Sequence, residues 1–165
     1  MEYEHIVHGF EPIFDKNSRV LILGSLPSVK SREQSFYYGH PRNRFWKVTA
    51  ALCREDVPQT IEDKTRLLLA HGIALWDVVS ECDIIGSGDA SLKNVIPTDI
   101  RPILDACDIR CIFVNGGAAA GIFERFQKPL TGRDAVRLPS TSPANAAYSF
   151  ERLLEAWGCV AGYLK

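Results

Sequence analysis

Four short apolar runs set the rhythm of this chain, at residues 20–23, 73–76, 109–114 and 135–138, each closed by small or turn-forming residues. Runs this short and uninterrupted suit strands buried on both faces of a parallel sheet. Between and after them, residues 43–52, 60–71, 100–106, 118–126 and 146–156 read as helices. Phe45, Val48, Thr49 and Leu52, for example, recur at i, i+3, i+4 and i+7. Alternation of strand and helix predicts a three-layer α/β/α sandwich around a central, mostly parallel four-stranded sheet. With 165 residues, 46% of them hydrophobic, the chain fits one domain over residues 1–165. Residues 1–17 read as an extension packing His5, Ile6, Phe10 and Phe14 on the sheet's edge, and residues 77–98, with Gly86, Ser87, Gly88 and Asp89, as a long irregular loop.

Charge and cysteine usage narrow the function classes. A formal net charge of -1 argues against a protein that coats nucleic acid, yet five cations (Lys30, Arg32, Arg42, Arg44, Lys47) face one anion, Glu33, over residues 30–47. An enzyme gripping a few phosphates remains compatible with that balance. Cys53, Cys82, Cys107, Cys111 and Cys159 form no zinc or iron–sulfur spacing, and residues 1–12 do not read as a signal peptide. The expectation is a reduced, cytoplasmic protein with buried structural thiols, no metal and no cofactor. No apolar stretch approaches the roughly 20 residues needed to span a bilayer. Trp46, Trp76 and Trp157 read as packing anchors.

A parallel sheet delivers the residues after its strands to one edge, here residues 24–28, 77, 115–117 and 140–145. That convergence predicts a single site. The window GSLPSVKSREQSFYYGHPRNRFW, residues 24–46, adds an aromatic pair, an amide and cations, which suit a base on a phosphate chain. Plainer readings stand beside each candidate. Asn43 could cap the following helix, His40 could be a hydrogen-bonded turn residue before Pro41, and Asp77 a cap. Ser142 or Asn145 could cap the last helix, and Gly116–Gly117 could permit close backbone approach. Tyr37 and Tyr38 point to opposite faces if extended, so one belongs to the core.

Taken together, the first-strand G-x-x-P turn, the Y-Y-G-H-P-R-N-x-F-W string, the N-G-x-x-A third turn and the final S-T-S-P-A-N turn resemble the uracil-DNA glycosylase superfamily over roughly residues 19–155. The sixth family, the hypoxanthine-DNA glycosylases, is the nearest match. The resemblance implies that Asn43 and Asn115 are the catalytic amides and that Tyr38 is the ring on which the extruded base stacks. Leu26 stands where uracil-specific members place an Asp or Asn that positions water, and Ser140 where the best-known members place a histidine. Both substitutions speak against uracil excision.

Breaking an N-glycosidic bond creates an oxocarbenium-like sugar and an anionic purine, so the site needs donors at the base and an oriented water at C1′. An amide can orient that water, and the backbone N–H groups of Ser25 and Leu26 could bond the purine carbonyl. Asp77 or Asn115 could read the N1–H and O6 of hypoxanthine, with Ser140 completing the base-binding set. Arg42, Arg44, Ser142, Pro143, Ala144 and Asn145 are the candidate DNA contacts, the last two occupying the insertion turn with short side chains. The expected activity is monofunctional deoxyinosine glycosylase, since the window offers no evident Schiff-base lysine. The expected partner is double-stranded DNA carrying deaminated bases, with single-stranded DNA as an alternative, and the expected state is a monomer. Uracil or xanthine as substrate, and a catalytically idle damage binder, are the competing readings. A dinucleotide enzyme is disfavoured because G-x-G-x-x-G is absent after the first strand.

Overall fold

The computed structural model describes residues 2–34, 36–85 and 89–165. Among the described residues, seven strands build two sheets. The central sheet holds β2 (Val20–Gly24), β3 (Ile73–Asp77), β6 (Cys111–Asn115) and β7 (Ala135–Leu138) in the order β3-β2-β6-β7, with all neighbours parallel. A smaller antiparallel sheet, ordered β1-β4-β5, joins β1 (Glu4–Val7), β4 (Val79–Ile84) and β5 (Lys93–Pro97).

Strand alternation sorts the core into two layers. Val20 and Ile22 of β2 point to one face, against Phe45 and Val48 of α2 (Phe45–Cys53, which follows the short α1, Val29–Gln34), Leu67 and Leu68 of α3 (Ile61–Ala70), and Leu153 and Trp157 of the terminal helix (Phe150–Trp157). Leu21 and Leu23 point to the other, against Ile103 of the helix Arg101–Ala106, Ala119 of the helix Gly117–Ile122, and Val79, Cys82 and Ile84 of the small sheet. The three layers follow the expected arrangement, with the small sheet sharing one outer layer with helices. Among the described residues, no helix is long and apolar enough to cross a membrane.

Several segments depart from the sequence expectation. The first strand does not lie on the central sheet but pairs with β4, while Ile13 bridges the central edge strand at Leu75, exchanging backbone hydrogen bonds of 2.9 and 2.8 Å. His5 is exposed and bonds Asp83 instead of packing. Much of residues 77–98 is β-hairpin rather than irregular loop; two register shifts in the β4–β5 pairing blur the alternation that would announce it. Gly86, Ser87 and Gly88 lie outside the described residues. The third central strand starts at Cys111 rather than at 109, and the final helix at Phe150 rather than at 146, because Ser149, not Ser142 or Asn145, accepts the capping hydrogen bond from Arg152 N–H at 3.2 Å. The helix after β6 widens into a π turn (Phe123–Gln127) and continues to Thr131. All five cysteines are free thiols, but Cys53 and Cys82 alone are buried, and Cys159 is exposed.

Candidate active site

The carboxyl ends of β2, β3 and β6 place Gly24, Asp77 and Asn115 on one edge, and the segment after β7 brings Ser140, Thr141 and Ser142 to the same place. They line a cleft of ≈ 120 Å³ together with Ser25, Leu26, Tyr38 and Asn43. All seven residues expected to bind the base or act in catalysis therefore share one cavity. Glycine at position 24 is what leaves it open, since a Cβ there would lie 2.6 Å from Asp77 Oδ1 and 2.7 Å from the Tyr38 hydroxyl.

The aromatic pair lies in a turn rather than an extended segment, so it is the turn, and not strand alternation, that sends the two rings different ways. Tyr37 is core, donating its hydroxyl to the Glu11 carbonyl at 2.7 Å, while Tyr38 turns toward the cleft and stacks on Phe45 with ring centroids 4.1 Å apart. To make that turn Tyr38 adopts φ 51°, a left-handed conformation costing a bulky residue on the order of 1–3 kcal/mol. Burial first, and the Asp77 carboxylate second, push both phenols above their ordinary ionisation range, with an Asn115 hydrogen bond pulling Tyr38 the other way. Tyr38 stays a neutral hydroxyl.

Residues 40–43 form a tight turn. Asn43 N–H donates to the His40 carbonyl at 3.0 Å, and His40 Nδ1 accepts from Arg42 N–H at 3.0 Å, so His40 serves the turn. Asn43 Oδ1 accepts from Phe45 N–H at 2.9 Å at the start of α2, which fixes the amide plane and leaves a second lone pair on that oxygen. The helix cap itself is Arg44, so Asn43 is not the cap; it stands one residue earlier, satisfies the first helical N–H and lines the cleft.

Asn115 is held more firmly. Its amide nitrogen donates to the Tyr38 hydroxyl at 3.2 Å and to Thr141 Oγ1 at 3.0 Å, and its oxygen accepts from Thr141 N–H at 3.1 Å. Thr141 is fully buried, so this clamp joins β6 to the last turn and fixes Tyr38 from above. Asp77 is likewise pinned, with Oδ2 accepting from His8 Nε2 at 2.8 Å and both side chains 5% exposed.

The expected DNA contacts behave differently from one another. Arg42, Pro143 and Ala144 are exposed. Arg44 commits its guanidinium to protein, donating to the carbonyls of Tyr148, of Ser142 at 2.8 Å and of Asn145 at 3.0 Å, while its own N–H donates to the Thr141 carbonyl at 3.1 Å. The turn it grips is also folded internally. Ser142 N–H donates to Ser140 Oγ at 3.1 Å, Ser142 Oγ accepts from Ala144 N–H at 3.1 Å, and Asn145 Nδ2 donates to the Ser140 carbonyl at 3.0 Å. Gly116 supports it from below, where a Cβ would come within 3.0 Å of Ser140. Pro143 and Ala144 form its outer tip; the Asn145 side chain is turned inward.

Two participants escaped the sequence reading, His8 and Thr141. His8 lies in the amino-terminal segment, 69 residues from its partner, with no local motif around it. Thr141 lies in the turn after β7, and its hydroxyl takes its place through the contact with Asn115, 26 residues away, which no local pattern encodes.

Comparison with known proteins places this arrangement. The family model described as the uracil DNA glycosylase superfamily matches residues 11–158. A curated relative from Methanosarcina acetivorans named hypoxanthine DNA glycosylase is 32% identical over 156 residues, covering 94% of this chain and 98% of the relative. A second relative of that name, from Methanosarcina barkeri, is 34% identical over 140 residues, 83% of this chain and 87% of its own length. A solution NMR structure of a candidate uracil DNA glycosylase from Methanosarcina acetivorans superposes with a TM-score of 0.79 at 34% identity, covering 93% of this chain and 94% of that one.

Proposed function

The chain belongs to the uracil DNA glycosylase superfamily, and from that premise we propose that it is a monofunctional DNA glycosylase that extrudes hypoxanthine from DNA into the cleft and hydrolyses its bond to deoxyribose. The observation that carries this reading is the meeting of Tyr38, Asn43, Asp77 and Asn115 around one cavity at the sheet edge.

In this reading the flipped purine stacks on Tyr38, whose other face is braced by Phe45. Backbone N–H groups at Ser25 and Leu26 meet O6, and Asp77 meets N1–H. As the bond between C1′ and the purine nitrogen breaks, its electron pair leaves with the base, and donors around O6 stabilise the developing anion. The Asn43 amide holds a water at C1′; the water's oxygen forms the new C1′–O bond, and its proton passes to the departing base or to solvent. A weak nucleophile suffices against an oxocarbenium-like centre, so an amide serves in place of a carboxylate. Asn115, with both amide donors spent on protein, acts by fixing Tyr38 and Thr141. Leu26 and Ser140 leave the cleft without the side-chain groups of a uracil-specific site.

The test is single-turnover release of free base from duplexes identical except for inosine, uracil or xanthine. Fast hypoxanthine release supports the assignment. Preferred uracil release overturns the specificity, and tight binding of the inosine duplex without product from any substrate supports the idle binder instead. Borohydride trapping of a lysine adduct would overturn the monofunctional mechanism. The enzyme is expected to act on double-stranded DNA as a monomer.

A further inference from the structure

We infer that His8 is a positioning residue that holds Asp77 as a one-sided hydrogen-bond acceptor, so that the cleft selects bases carrying a lactam N–H over adenine. This rests on the glycosylase reading above. The argument begins with what a carboxylate and an imidazole can each offer. An ionised carboxylate only accepts, so the 2.8 Å contact makes His8 Nε2 the donor and leaves Nδ1 as the other ring nitrogen; Nδ1 is buried and has no hydrogen-bond partner among the described residues. The ring is 5% exposed, packed 4.5 Å from Phe10 and 6.1 Å from Tyr37, and its backbone N–H is tied to the Ser80 carbonyl at 2.8 Å. The backbone of His8 is thus anchored, and its ring is held by aromatic packing and by the bond to Asp77.

The consequence falls on Asp77. With Oδ2 occupied by His8, the acceptor offered to the cleft is Oδ1, which lies against the bare Cα of Gly24. Strand β3 ends at Asp77, and the next residue is fixed in turn, because Val78 N–H donates to the Gly24 carbonyl at 2.8 Å and buried Gln127 donates to the Val78 carbonyl at 2.9 Å. Hypoxanthine presents N1–H to such an acceptor. Adenine presents a lone pair at N1, which meets the carboxylate oxygen as a repulsive contact, and a site built on a fixed hydrogen bond rejects the mismatched analogue far more strongly than a shape-fitting pocket does.

The experiment measures single-turnover base release from duplexes carrying inosine or adenine at the same position, with the full chain and three variants. His8→Phe keeps the ring volume and removes the donor; it is expected to slow hypoxanthine release by about tenfold or more and to narrow the inosine-to-adenine ratio. His8→Gln restores a donor near Nε2 and is expected to recover both the rate and the ratio to within about threefold. Asp77→Asn, which can present an amide donor toward N1, is expected to narrow the ratio most. Thermal unfolding of each variant separates loss of fold from loss of positioning. Should His8→Phe fail to fold, the Gln rescue and the Asp77→Asn ratio still decide. A rate and ratio unchanged in His8→Phe, or lost equally in His8→Gln, would overturn this inference while leaving the glycosylase assignment intact; an unmodified chain that releases no hypoxanthine would overturn both.

Discussion

At the scale of single residues, the site is a set of fixed polar groups rather than a set of reactive ones. Asn43 has its amide plane set by Phe45 N–H, so Asn43→Ala, which removes both that acceptor and the group proposed to hold the water, is expected to slow hypoxanthine release by roughly a hundredfold or more, about 3 kcal/mol in single-turnover kinetics. Asn43 and Tyr38 were legible because they sit in one dense string of unusual residues. His8 was not, because its significance is created by a contact across 69 positions that no local pattern encodes. Arg44 shows the opposite failure. A cation in a basic window invites the reading of a phosphate ligand, yet three carbonyls surround its guanidinium. Arg44→Met is therefore expected to loosen the turn after β7 and lower the melting temperature as well as activity, whereas Arg42→Gln, at an exposed position, should weaken DNA binding and reduce its salt dependence while leaving the melting temperature unchanged.

At the scale of elements, the central sheet was legible because each strand is a short apolar run with a turn at its end, and a parallel sheet has one functional edge. The small sheet was hidden because β4 is interrupted by bulges and β5, Lys93–Pro97, places two polar residues before three apolar ones with none of them buried, so neither shows clean alternation. The turn at residues 140–145 was recognised, but not which of its members face outward. Since Asn145 turns back onto Ser140 and Ala144 stands at the exposed tip, the residue that probes the duplex is expected at Pro143–Ala144. Ala144→Leu should lengthen the tip and slow release of the abasic product, measured as the gap between single-turnover and steady-state rates. Asn145→Leu should instead disturb the turn and slow the chemical step. At the other end of the cleft, Gly24→Ala puts a methyl within 2.7 Å of two oxygens and is expected to abolish base release while the strand itself still forms.

At the scale of the whole molecule, buried weak acids make the fold sensitive to alkali. The Cys53 thiol is pushed up to about 12 by burial and by Glu55, and the Tyr37 and Tyr38 phenols are raised still further from their ordinary values. Each group keeps its proton in the folded chain and loses it in the unfolded one, so its contribution is fully present below the unfolded-state value and declines as pH rises. Chemical denaturation followed from pH 8 to 11 is expected to show stability falling from about pH 9, where unfolded cysteine ionises, and more steeply above about 10. The clamp of Arg44 on the last turn has a consequence for how DNA is met. A loop already fastened by its own carbonyls has surrendered its conformational freedom during folding, so docking on DNA need not spend binding energy on ordering it. Association should accordingly look like contact between finished surfaces, with a small heat-capacity change confined to the area buried and little trace of a segment folding on arrival.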